Sequence, residues 1–130
     1  MIEYFIDANA LLRYLLEDIP EQTKRTQGLL TEAKKGTVSI EVPLLVVAEV
    51  YFVLYSFYKL PIDEICKQLE AFCKLAYIDI EHRLLVQQIF SSKAIKRIGF
   101  LDTYLLLRSI HEERRLFTFD KKLARLAKTS

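Results

Sequence analysis

Short apolar or β-branched runs alternate with helical spacings along the whole chain, and this alternation restricts the fold more than any other feature. Ile2 to Ile6 is an apolar run that ends at Asp7, and Leu11, Leu12, Leu15 and Leu16 follow at helical spacing. Pro20 suits the first turn of a second helix, which carries Leu29, Leu30 and Ala33 and stops at Gly36. Thr37 to Val42 reads as a strand, and Pro43 opens a long apolar helix to about Tyr58. Pro61 opens another helix with Ile65, Leu69, Phe72 and Cys73 on one face. Ala76 to Ile80 reads as a third strand, followed by a helix from about Glu81 to Lys96. Gly99 interrupts the pattern before a helix from about Leu101 to Glu113. Arg115 to Phe119 is the fourth expected strand, and Asp120 starts a closing helix with Leu123, Leu126 and Ala127. Strands and helices in this order call for right-handed crossovers and a parallel sheet covered on both faces. In such a sheet a functional site lies beyond the carboxyl ends of the strands, where helix N-termini also converge.

At 130 residues the chain has the size of one domain, so residues 1–130 are expected to form a single unit. With 52% apolar and 28% charged residues, and only three Gly and three Pro, it falls outside the disordered and low-complexity classes. Cys66 and Cys73 stand seven apart in a helical stretch. That is about 10.5 Å along the axis, too far for a disulfide, so two reduced, core-facing thiols are expected. Reduced thiols fit a cytoplasmic location. The N-terminus has no basic leader region, and the most apolar stretch, Pro43 to Tyr58, is too short for a membrane span and carries Glu49.

The net charge of +2 is unevenly placed: residues 1–90 hold nine Lys and Arg against thirteen Asp and Glu, whereas residues 91–130 hold ten against four. A basic C-terminal third is a modest pointer to a polyanionic partner.

Most of the seventeen carboxylates fall on polar faces or loop edges, but four do not. Asp7 directly follows the first strand and Asp120 the fourth expected strand, which puts both at the carboxyl edge. Asp102 lies at the start of an apolar helix, in Gly99-Phe100-Leu101-Asp102-Thr103-Tyr104. Each of these three also suits a helix cap, where a carboxylate contributes about 1 kcal/mol. Glu49 is the sole charge between Val42 and Tyr58, and as a buried carboxylate it would have to pair, take up a proton or bind a cation. If the four point into one cleft, their mutual repulsion calls for protons or a hard cation between them. Oxygen-only ligation favours Mg²⁺ or Mn²⁺ over zinc. His82 and His111 have no ligand-like spacing and read as surface residues.

Phe5-Ile6-Asp7-Ala8-Asn9-Ala10-Leu11-Leu12, Ala48-Glu49-Val50, Leu101-Asp102-Thr103 and Phe117-Thr118-Phe119-Asp120, in this order, resemble the PIN-domain nucleases. The small size looks most like a VapC-type toxin of a toxin–antitoxin pair. The resemblance runs from Ile2 to about Ala127. It implies a three-layer α/β/α sandwich with a short parallel sheet of about four to five strands. It also implies a divalent-metal endoribonuclease that leaves a 5′-phosphate and a 3′-hydroxyl. Asp7, Glu49, Asp102 and Asp120 match the family's acidic positions, as ligands of one or two Mg²⁺ or Mn²⁺ ions. Asn9 matches the polar residue two after the first acid, and Thr118 the hydroxyl residue two before the last. Lys93, Lys96, Arg97, Lys121, Lys122 and Arg125 are the candidates to track an RNA backbone. A homodimer and a small antitoxin protein are the implied partners.

The rival from another class is a PIN-like fold without activity that binds only RNA or protein; retention of all four acids argues against it. An aspartyl phosphatase wants a second acid where Asn9 stands. One further expectation concerns the helix through Tyr51, Phe52, Tyr55, Phe57 and Tyr58, which is apolar nearly all round. Its outer face is expected to meet a second copy or an antitoxin segment.

Overall fold

Proline and glycine set several element boundaries in the computed structural model, which describes residues 1–128. Pro20 stands at the first turn of α2 (Pro20–Lys35), where its missing N–H costs nothing. Gly36 ends that helix in a left-handed conformation, φ 82°, and returns its N–H to the Ala33 carbonyl at 3.0 Å. Pro43 and Pro61 precede α3 (Leu44–Ser56) and α4 (Ile62–Cys73) in extended backbone, as the restriction on proline φ favours. Because Pro43 offers no capping side chain, the Leu44 N–H is satisfied instead by Glu81 Oε1 at 2.9 Å.

The described chain divides into two compact units, Met1–Arg83 and the residues from Leu84 onward. The first holds a parallel sheet in the order β1 (Ile2–Phe5), β2 (Val38–Val42), β3 (Asp79–Ile80). Ile2 pairs with Val38 and Val42 with Ile80 in its register. α1 (Ala8–Leu16) and α2 connect β1 to β2, and α3 and α4 connect β2 to β3. Both connections step the same way across the sheet, from β1 to β2 and from β2 to β3. Central strand β2 supplies the fully buried Ile40 and Val42, against which Leu11, Leu12, Val47, Val50, Leu54, Ile65 and Leu69 complete an apolar core. Each such side chain contributes about 1.5–3 kcal/mol by leaving water.

The second unit is helical: α5 (Arg83–Ser91, whose first residue closes the first unit), α6 (Ala94–His111) and α7 (Lys121–Lys128). Gly99, at φ 80° and ψ −179°, breaks α6 into two helical pieces. Val86, Ile89, Ile95, Phe100, Leu106 and Leu123 of this unit are buried, and the Phe90 and Phe100 ring centroids lie 5.5 Å apart.

The α/β sandwich class expected from the alternation holds, with a parallel sheet as expected. The sheet has three strands among the described residues rather than four to five. Arg115 to Phe119 joins no ladder; it runs as irregular chain with Phe117 and Phe119 each 90% exposed. The third strand is also shorter than Ala76 to Ile80. Arg83 donates to the carbonyls of Cys73, Leu75 and Ile78, and the Ile78 N–H returns to Leu75, so this segment is a turn before the ladder begins. Cys66 and Cys73 are buried thiols not joined in a disulfide, as expected. Among the described residues no helix is long and apolar enough to cross a membrane.

Candidate active site

Asp7 lies two residues beyond the carboxyl end of β1 and caps α1. Its backbone is extended, and Oδ1 accepts the Ala10 N–H at 2.8 Å. Oδ2 takes no part in that bond. Asn9 and Arg13 follow one helical turn apart on the same stripe of α1. On α3, Glu49 and Val53 occupy a corresponding stripe that Phe57 extends past the helix end. The two stripes face each other across an open cleft of about 460 Å³, lined by Asp7, Asn9, Arg13, Glu49, Val53 and Tyr58 among others. A second groove, of about 590 Å³, runs from Tyr4 to Leu29 and shares Asp7, Asn9 and Arg13 with the first.

Two carboxylates and a carboxamide thus line one cleft, and each can offer oxygen as its ligating atom. Asp7 and Asn9 are exposed, and Glu49 forms no hydrogen bond or ion pair among the described residues. Such a set suits a hard divalent ion that keeps several of its waters and is held by one or two carboxylates. No group of three or more His, Cys, Asp or Glu suited to one ion occurs among the described residues.

Glu49 departs from expectation. The buried face of α3 runs through Val47, Val50, Tyr51 and Leu54, and Glu49 lies on the opposite, exposed side. Burial therefore does not force this carboxylate to pair or to bind a cation; it is a charge facing solvent at the cleft wall. The same outer side carries Leu45, Phe52, Tyr55 and Phe57, exposed at 81%, 46%, 49% and 75%. The apolar outer face expected of this helix is present.

Asp102 and Asp120 belong to the second unit. Asp102 is half-buried on the helical piece that starts after Gly99, next to Thr103, whose fully buried Oγ1 has no hydrogen-bond partner among the described residues. Asp120 is exposed and caps α7, with Oδ1 accepting the Leu123 N–H at 3.0 Å. Thr118 Oγ1 accepts the Asp120 N–H at 3.0 Å and so fixes the backbone from which that carboxylate projects. Lys93, Lys96, Arg97, Lys121, Lys122 and Arg125 are all exposed. His82 and His111 are exposed as expected.

Arg13, which the sequence pattern did not single out, and Tyr58, expected only on an outer helix face, also line the cleft. Arg13 donates to Asp18 Oδ2 at 3.0 Å and to the Tyr58 hydroxyl at 3.1 Å. The signal for it was present: Arg13 is the sole charge in the apolar helix Ala8–Leu16, four residues after Asn9.

Neither the curated proteins nor the solved structures yield a match to this sequence. The PIN domain family model does, over residues 4–129, a span that includes all four singled-out acids and both units. PIN domains are generally nucleases, and the match brings with it a nuclease-type fold. The chain belongs to the PIN-domain family.

Proposed function

We propose that the protein is a Mg²⁺- or Mn²⁺-dependent endoribonuclease, with residues 1–130 acting as one nuclease domain. The observation that carries this reading is the meeting of Asp7, Asn9 and Glu49 in a single open cleft on a chain of the PIN family. Asp7 and Glu49 would hold the cation, and Asp102 and Asp120 match the family's remaining acidic positions by motif order. When bound, the cation lowers the pKa of water and offsets charge on the phosphodiester under attack.

The chain's own residues do the remaining work. Asp7 keeps one carboxylate oxygen on the helix cap, which fixes the direction of the other. Asn9 presents a neutral amide beside it that can donate to a phosphate oxygen without adding charge. Thr118 holds Asp120 through the backbone, and the exposed cations of the second unit supply the attraction for a polyanion. The VapC-type toxin role, a cytoplasmic location, a homodimer and a small antitoxin partner belong to this proposal as well. The exposed apolar side of α3 is its candidate protein interface.

The test is incubation of the protein with single-stranded RNA, with Mg²⁺, with Mn²⁺ and with chelator. Internal cleavage that needs the ion, and that is lost in Asp7→Asn, supports the reading. RNA binding without cleavage under every ion condition sinks it in favour of an inactive binding module.

A further inference from the structure

Arg13 is tied down at both ends of its length. Its carbonyl accepts the buried Thr23 hydroxyl of α2 at 2.7 Å and the Glu17 N–H at 3.1 Å. Its guanidinium spans Asp18, just past the end of α1, and the hydroxyl of Tyr58, just past the end of α3, at 3.0 and 3.1 Å. The side chain is only 12% exposed, and its Nε is buried with no partner among the described residues. A buried donor without a partner is costly, so its place in the fold calls for an explanation. The cleft wall that Arg13 forms joins the helix bearing Asp7 and Asn9 to the helix bearing Glu49.

We infer that Arg13 is a positioning residue: by gripping Tyr58 it fixes α1 against α3, and so sets the separation at which Asp7 and Glu49 share one divalent cation. This rests on the metal-dependent reading above. The guanidinium's planar fork matters to the role, because two of its nitrogens reach Asp18 and Tyr58 at once. A lysine ammonium keeps the charge but is a single point that reaches one partner well. If Arg13 served only as a charge in the cleft, it would oppose a cation, and its removal would tighten metal binding rather than weaken it.

The experiment is calorimetric titration of the full chain with Mn²⁺ alone, at a temperature where every variant is folded by circular dichroism. Tyr58→Phe removes one hydroxyl and is the primary variant; Arg13→Gln and Arg13→Lys accompany it. Partners that orient metal ligands change affinity by about 10–100-fold when removed, so Mn²⁺ affinity is expected to fall about tenfold in Tyr58→Phe and at least as far in Arg13→Gln. Arg13→Lys is expected to recover part of that loss. Ile65→Val, a core trim on α4, is the control: it should melt earlier and bind Mn²⁺ like the parent. Parental affinity in Tyr58→Phe, or tighter binding in Arg13→Gln, overturns the positioning role while leaving the metal reading intact. A parent protein that binds no Mn²⁺ overturns the metal reading itself, and the positioning role falls with it.

Discussion

Asp120 carries in the second unit the same cap that Asp7 carries in the first: each sends Oδ1 to the N–H three residues on, at 3.0 and 2.8 Å. Capping and ligation are therefore compatible roles, since a carboxylate has two oxygens and the cap uses one. The roles separate by substitution. Asparagine caps as well as aspartate, so Asp7→Asn should keep stability within about 0.5 kcal/mol of the parent. Its ion-dependent RNA cleavage should fall about 100-fold or more, beyond what loss of a supporting partner does. Asp7→Ala should lose activity and about 1 kcal/mol of stability together. Melting curves beside cleavage assays read both, and an active Asp7→Asn protein refutes the assignment.

Glu49 faces solvent and makes no hydrogen bond or ion pair among the described residues, so Glu49→Gln should leave the ion-free protein within about 0.5 kcal/mol of the parent. A ligand at 100 times its Kd stabilises by about 2.7 kcal/mol, and this increment is what the variant should lose. Thermal scans with and without Mn²⁺ measure the difference. An undiminished metal-induced rise in Tm would remove Glu49 from the site.

Thr118 acts on Asp120 through a single hydroxyl. Thr118→Ser retains that group and should cleave RNA close to the parental rate. Thr118→Val keeps the shape and loses the acceptor, and its rate should drop about tenfold. Equal rates in the two variants would show that the backbone of Asp120 needs no such support.

Burial pushes the Cys73 thiol up to about 11, Glu70 nearby adds to the rise, and the charge of Arg83 partly offsets both. An unfolded chain ionises this thiol near 8.5. Between these values the folded state holds the proton that the unfolded state has released, so stability falls as pH rises from about 9 towards 11. Below the lower value the contribution is fully present. Burial also raises Tyr14 and Tyr51, which steepens the decline above about pH 10. Urea unfolding of Cys73→Ala across pH 8 to 10.5 should show a shallower slope in the lower part of this window than the parent shows.

Gly99 sits at φ 80° and ψ −179°, a region open almost solely to glycine, and an added Cβ there meets nothing within 4 Å. The cost of Gly99→Ala is therefore backbone strain alone, about 1–3 kcal/mol. A lower urea midpoint at an unchanged m-value is the expected result. An unshifted midpoint would mean that the break in α6 relaxes freely.

How much of this was readable in advance depended on whether the determinant was local. α2 begins and ends where Pro20 and Gly36 predict, because each acts through its own backbone. The break at Gly99 was legible for the same reason. Arg115 to Phe119 has the composition of a strand, yet a ladder needs a partner that composition does not name. The third strand is shortened by Arg83, whose guanidinium takes carbonyls several residues back along the chain. Glu49 was misplaced because a helix apolar on every side carries no phase to say which side is buried. Of the cleft lining, the place of Asp7 and Asn9 just beyond β1 was legible. The clamp on Arg13 was not, since Tyr58 reaches it across forty-five residues of chain.

α1 is only nine residues long, shorter than the roughly 12–15 that an isolated helix needs to persist in water. It is held by the Asp7 cap, by Leu11 and Leu12 in the core and by the Thr23 bond to the Arg13 carbonyl. Asn9 and the oriented oxygen of Asp7 therefore exist as binding groups only while this helix stays docked. Opening of α1 and loss of the cleft become one event, and amide hydrogen exchange along Leu11–Leu16 reports on both. Whatever occupies the cleft slows that exchange, so deuterium uptake in this single helix becomes a sensor of site occupancy that needs no substrate turnover.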